Sequence, residues 1–260
     1  MSFDLLGYGV LFYVVSLALQ VNSFSIIGVI KVVFPFLVSR MWFVETYIIL
    51  MFLSPFINKG IKSLTKRQYL YLIIGWLLIF AVWPSFLPSA PILDHGYGIT
   101  QFITMYLVGG YIKLHVPLHS NKKYPYIVCY LICVVILDVL VHAIGEQAWD
   151  YCNIFNIIGS TALFVFFTQL NVRNNSWING IGAAVFGIYC IHVDYSVRYI
   201  IWQSILRCGD YYQSALFPLH FVASVIVICM VCIVIEKIRV SVWQRTINRL
   251  LSKVQLQLLL

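Results

Sequence analysis

The chain has 260 residues, of which 62% are hydrophobic and only 10% charged, at a mean hydropathy of +0.91. A soluble domain of this size has no use for so much apolar surface, so lipid is the solvent for most of the chain. The formal charge of +8 is dispersed among short loops rather than gathered into one stripe, which argues against nucleic-acid binding.

The apolar runs are about 16–23 residues long, the length of membrane-crossing helices and not of barrel strands. In chain order they predict eight spans, at 5–21, 41–58, 69–87, 99–115, 125–143, 153–170, 179–201 and 214–236. Segment 24–38 is too short and too interrupted, by Lys31 and Pro35, for a ninth; it reads as interfacial or re-entrant. Turn-forming stretches fit these boundaries: SFLPSAP after the third span, PLHSNKKYP after the fourth, NVRNNSWING after the sixth. Residues 238–260 space their apolar side chains helically between basic ones and predict a cytoplasmic amphipathic tail beyond a membrane domain of residues 1–237. The start, MSFDLLGYGVLFY, lacks the basic region and small-residue cleavage site of a signal peptide.

Loop charge sets the orientation. With the N-terminus in the cytoplasm, the inner side holds Lys59, Lys62, Lys66, Arg67, Lys113, Lys122, Lys123 and Arg173, plus the basic tail. The outer side holds only Lys31, Arg40, Arg198 and Arg207. Basic residues favour the cytoplasm, so the expected fold is an all-α polytopic bundle of about eight helices, both termini inside, in the inner (plasma) membrane.

The cysteines show no zinc spacing, and no metal set is expected. Cys129, Cys133, Cys229 and Cys232 lie inside spans as small buried hydrophobes, while Cys152 and Cys208, near outer ends, form the one pair a disulfide could join. Trp42, Trp83 and Trp149 sit near outer ends, Trp177 and Trp243 near inner ends, as an aromatic belt requires. Phosphate-loop, nucleophile-elbow and HExxH motifs are absent, so nothing in the sequence supports nucleotide hydrolysis or the common soluble hydrolase chemistries.

Ionisable residues inside spans are costly and mark function by default. Glu45, Asp138, His142, His192, Asp194 and His220 all fall in the outer half, which predicts a polar cavity open to the outside. Asp138 and His142, four apart, share a helix face. His192 follows Gly180, Gly182, Ala183, Ala184 and Gly187, small residues that let its helix pack closely and carry the imidazole into the bundle. Each of these groups also has a plain structural reading as an interhelical hydrogen-bond partner or a rim ion pair.

Residues 42–67 carry a family pattern: Trp42, Phe43, Tyr47, Leu50, then Ser54-Pro55-Phe56 and Asn58, followed by the basic loop. A second block is Gly96, Tyr97, Phe102, Tyr106, Leu107, Gly109 and Tyr111, and a third ends in Tyr189-x-x-His192. In this order the blocks resemble acyltransferase family 3, the integral-membrane O-acyltransferases of surface carbohydrates. The resemblance implies transfer of an acyl group, usually acetyl, from a cytoplasmic acyl-CoA to a sugar hydroxyl of a cell-surface or exported polysaccharide. It implies no bound cofactor, with acetyl-CoA or another acyl-CoA as the donor substrate. It implies Trp42, Glu45, Tyr189 and His192 as acceptor-binding residues, and Lys59, Lys62, Lys66 and Arg67 as binders of the CoA phosphates. The family has ten helices, the first carrying its catalytic histidine; the first span here resembles the family's third, so the first two are expected to be missing and the catalytic residue stays unassigned. Two other readings use the same polar cluster: a transporter or flippase-like path for a glycan or lipid-linked sugar, and an inactive remnant. A transporter would be expected to show internal repeats, and none is evident.

Overall fold

A computed structural model describes residues 24–33, 42–87, 94–117, 123–194 and 198–257, together with Gly9, Tyr13 and Leu17. The described residues form helices and turns without a strand. The chain divides into two compact units, residues 42–172 and residues 1–41 with 173–260. Of the predicted spans, the first lies outside the described residues apart from those three positions; each of the others has a helix.

The unit of residues 42–172 is an up-and-down run of helices. α2 covers Trp42–Lys62, α3 Lys66–Leu77, α4 Trp83–Phe86, α5 Ile99–His115, α6 Tyr124–Ile144 and α7 Ile154–Thr168; α1, Ile26–Val33, belongs to the other unit. A π-helical stretch, Leu78–Val82, joins α3 to α4, so Lys66–Phe86 is one continuous span. Pro84 explains the widening, because its ring cannot fit against the carbonyl four residues back and it offers no N–H.

α2 runs through Pro55, which leaves the Met51 carbonyl without its helical partner. The Ser54 hydroxyl donates to that carbonyl at 2.9 Å, as backbone in lipid requires. α3 starts on a capping box. Thr65 Oγ1 accepts from Gln68 N at 3.3 Å, and Gln68 Oε1 accepts from Thr65 N at 2.9 Å.

Ile61, Tyr69, Ile73 and Leu107 form the core between α2, α3 and α5. The buried Tyr69 hydroxyl donates to Leu107 O at 2.7 Å, and Trp76 Nε1 donates to Thr104 Oγ1 at 2.8 Å. Gly110 is required there, since a Cβ would stand 2.6 Å from the Tyr69 hydroxyl. α6 and α7 pack closely, with the Cβ of Cys133 over Gly159. Ser85 ties α4 to α7: its hydroxyl donates to Ala81 O at 2.6 Å and accepts from Ile154 N at 2.9 Å, meeting one orphan donor of the α7 N-terminus. These contacts give the unit a basic end, with the α2–α3 turn, Lys113 and Lys123, and an opposite end where α2 and α5 start and α6 meets α7.

In the other unit, α8 (Ser176–Val193) packs on α10 (Phe217–Gln257), with the short α9 (Cys208–Tyr211) beside α10. Asn175 caps α8, accepting from Trp177 N at 2.9 Å. The buried face of α8 carries Ala184, Gly187, Cys190 and Ile191, and that of α10 carries Ser224, Ile228, Cys232 and Glu236 at four-residue spacing.

Two boundaries differ from the sequence reading. The seventh span does not run on to residue 201: α8 stops at Asp194, whose ψ of 129° is extended, and a π-helical stretch, Ile200–Ile205, follows. A short polar side chain competes with the helical ladder, and hydropathy cannot register that. The last helix crosses residue 237 unbroken to Gln257, so span and tail are one rod. Among the described residues, five helical segments are long and apolar enough to cross a membrane, namely Trp42–Lys62, Lys66–Phe86, Tyr124–Trp149, Ser176–Val193 and Phe217–Val242; α7 is a shorter apolar helix.

Candidate functional site

The two ends of the 42–172 unit differ in chemistry. At the basic end the turn Ser63–Thr65 reverses the chain and brings Lys59, Lys62, Lys66 and Arg67 to one exposed loop. Lys59 and Lys62 occupy the last turn of α2, where the helix dipole favours cations. Glu45 occupies the first turn of the same helix, half-buried, where the dipole favours an anion and offsets part of its cost in lipid.

Trp42 opens the other end. Its ring lies 4.7 Å from Tyr97, 5.6 Å from Tyr151 and 6.3 Å from Phe102. Tyr97 and Tyr151 meet at 5.3 Å with planes at 88°, and Phe43 adds a contact to Phe102 at 5.2 Å. Tyr97 is 49% exposed and Tyr151 51%.

The loop behind these rings is unusually wound. His95 and Gly96 both have positive φ, 54° and 79°. A non-glycine residue held there costs about 1–3 kcal/mol, and such strain gathers at functional positions. Gly96 N donates to Asp94 Oδ1 at 2.9 Å, and His95 O accepts from Tyr151 N at 3.1 Å. The His95 ring pairs through Nδ1 with Asp150 Oδ2 at 2.8 Å. Gln101 Nε2 donates to Tyr151 O at 2.8 Å, and Asn156 Nδ2 donates to Asp150 O at 2.8 Å, so both sides of the pair are braced.

Cys152 lies under this loop. Burial, with Asp150 and Asp94 adding to it, pushes its thiol from the ordinary 9.0 up to about 11. Since only the thiolate reacts, the native protein at pH 8 should leave Cys152 unmodified by N-ethylmaleimide, with labelling on unfolding. Mass-spectrometric labelling of the native chain at the rate of an exposed thiol would contradict this. Cys152 and Cys208 are both free thiols.

Tyr189 and His192 belong to the other unit, as neighbours on α8 with rings 6.3 Å apart. His192 Nδ1 lies 2.6 Å from Ile188 O and donates to it within the helix. Asp194 is fully buried at the end of α8. His220 stacks on Tyr211 at 3.9 Å, and its Nε2 lies 2.9 Å from Leu206 O. Asp138 and His142 share an exposed face of α6.

An apolar cavity of about 330 Å³ opens between α3, α5, α6 and α7, lined by Leu70, Ile73, Val108, Tyr126, Ile157 and Val165 among others. Its walls present almost no polar atom, so it offers nothing for proton transfer or hydroxyl recognition. Among the described residues no cluster of His, Cys, Asp and Glu could hold a metal ion.

Sequence reasoning singled out Trp42, Glu45, Tyr189 and His192 and missed His95, Asp150 and Tyr151. The Asp94-His95-Gly96 string is a turn signal, but its pairing with Asp150 joins residues 55 apart and leaves no local trace. The first two sequence blocks meet in space, through Trp42 with Tyr97 and Phe102, and through Tyr106, whose hydroxyl donates to Asn58 Oδ1 at 2.9 Å.

A family model described as an acyltransferase domain matches residues 5–237. No curated protein and no solved structure matches the chain.

Proposed function

The chain belongs to the membrane acyltransferase family whose domain it matches, and from that premise we propose that it acetylates a hydroxyl of a surface polysaccharide, with an acyl-CoA as donor. The observation that carries this reading is the polarity of the 42–172 unit, with an exposed basic loop at one end and exposed aromatic rings at the other. Lys59, Lys62, Lys66 and Arg67 suit the CoA phosphates, as charge-assisted hydrogen bonds from flexible cations do. Trp42 and Glu45 serve the acceptor, and so do Tyr189 and His192 of α8. By the positive-inside rule the basic end faces the cytoplasm and the aromatic end the outside of the plasma membrane.

The acceptor oxygen bonds to the thioester carbonyl carbon, the C–S bond breaks, and the thiolate leaves. That chemistry needs a base for the hydroxyl proton and donors for the oxyanion.

The test uses the full chain reconstituted in liposomes, with radiolabelled acetyl-CoA and polysaccharide from the producing cells. Label should enter the polysaccharide as a base-labile ester. Replacing Lys59, Lys62, Lys66 and Arg67 together by alanine should raise KM for acetyl-CoA about tenfold and leave KM for the polysaccharide unchanged, as loss of phosphate contacts predicts. Absence of ester from the wild-type reaction would refute the proposal.

A further inference from the structure

We propose that His95, Asp150, Tyr97, Tyr151 and Trp42 form a binding site for one pyranose ring, in which His95 Nε2 accepts a hydrogen bond from a sugar hydroxyl. The site deepens the reading above, and rests on it only in taking the bound sugar to be the acceptor.

The imidazole is held in place. Positive φ at His95 and Gly96 turns the side chain toward the Asp150–Asn153 turn, and the Gly96–Asp94 and Tyr151–His95 hydrogen bonds fix the backbone on either side. The contact of Nδ1 with Asp150 Oδ2 at 2.8 Å assigns the proton to Nδ1, because a carboxylate only accepts. In the neutral tautomer that carries this proton, Nε2 is an acceptor, and it has no partner among the described residues. The side chain is 46% exposed, against 19% for Asp150. Core packing therefore does not account for a histidine here. What the loop achieves is an oriented acceptor at the surface, with the carboxylate as the group that positions it.

The aromatic rings come from the same two turns as the His95–Asp150 pair. Tyr97 follows His95 by two residues, Tyr151 follows Asp150 directly, and their planes at 88° make a corner that Trp42 closes. Three ligand classes could meet aromatic rings at a membrane surface, and the polar groups separate them. An aliphatic lipid chain gains nothing from an oriented imidazole. An anionic group is opposed by the carboxylates of Glu45, Asp94, Glu146 and Asp150 at this end. A neutral pyranose uses both parts: its C–H face stacks on a ring while a hydroxyl donates to Nε2. A quaternary ammonium would use the rings and the carboxylates but would leave Nε2 unused.

The probe is the oligosaccharide mixture released from the producing cells' surface polysaccharide and freed of acyl groups by mild base, with choline chloride as the cationic comparison. Isothermal titration calorimetry on the purified full chain should show saturable oligosaccharide binding that choline does not compete away. His95→Ala and Tyr151→Ala should each weaken binding at least tenfold. His95→Gln, whose amide can both donate to Asp150 and accept from a hydroxyl, should recover binding to within about threefold of wild type; if His95→Ala fails to fold, His95→Phe, which keeps a ring and loses both hydrogen bonds, replaces it and should also weaken binding at least tenfold. Trp177→Ala, an exposed residue of the other unit, should bind as wild type.

Binding unchanged in His95→Ala and Tyr151→Ala, no oligosaccharide binding at all, or displacement by choline each overturns the site. Acetyl transfer is measured on the same preparation to keep the two ideas apart. Binding that follows the predicted variant pattern without transfer sinks the polysaccharide-acetylation reading and leaves the sugar site standing. Transfer whose acceptor KM ignores both His95→Ala and Tyr151→Ala sinks the site and leaves that reading.

Discussion

Gly96→Ala is expected to cost roughly 3 kcal/mol and to abolish acceptor use, because two penalties fall on one atom. At φ 79° an L side chain is strained, and the new Cβ would stand 2.5 Å from Cys152 N and 2.6 Å from Tyr151 Cβ. Relief requires the 94–98 turn to move off the 150–153 turn, which separates His95 from Asp150 and Tyr97 from Tyr151. Gly145→Ala is the comparison without a close approach: φ 71° and ψ −157° strain an L side chain, but nothing lies within 4 Å of the built Cβ, so backbone strain of about 1–3 kcal/mol is the whole cost. Thermal unfolding in detergent should rank wild type above Gly145→Ala and that above Gly96→Ala, with sugar binding lost only in the last. Equal melting temperatures for the two variants would show that the close approach at Gly96 is relieved without consequence.

Arg239→Ala should destabilise by about 3–5 kcal/mol, the range for a buried ion pair that loses one partner. Arg239 Nε donates to Glu236 Oε2 at 2.7 Å, and its terminal nitrogen donates to Oε1 at 2.8 Å, a fork that satisfies both carboxylate oxygens. The side chains are only 15% and 7% exposed, near the end of the Phe217–Val242 span. Removing the arginine takes the bidentate partner away from a carboxylate that is only 7% exposed. The double change Glu236→Gln with Arg239→Met should recover much of the loss, since it removes both charges together. Detergent melting of the single and double variants checks this; a silent Arg239→Ala would place the pair among the solvated ones worth a fraction of that energy.

Residues 42–62 show how much a sequence of this kind carries locally. Their apolar run, basic exit and Ser54-Pro55 step predict a helix across a membrane, and α2 is that helix, with the Ser54 hydroxyl on the carbonyl that Pro55 strands. Residues 179–201 show the opposite. Hydropathy continues past Val193, yet the helix stops at Asp194, because one residue's backbone choice is invisible to an average over a window. The tail shows a third case: amphipathic spacing identifies a helix beyond residue 237 but not that it is continuous with the span before it.

The contacts at the aromatic end divide in the same way. Trp42 was legible because it stands in a family pattern, and the rings around it are also in that pattern or next to an acidic outer loop. The His95–Asp150 pair was not, since the two residues come from different loops and neither sits in a span where a charge would stand out.

The sequence by itself determined the solvent, the helical class, the family and the charge asymmetry between loops. Each of these is a sum over many residues or a match over most of the chain, and sums tolerate local exceptions. Only the tertiary structure decided which side chains meet at the aromatic end, and that Gly96 lies against the backbone of Tyr151 and Cys152 there. Contacts between distant residues depend on one register and a few backbone angles, and those are fixed by packing.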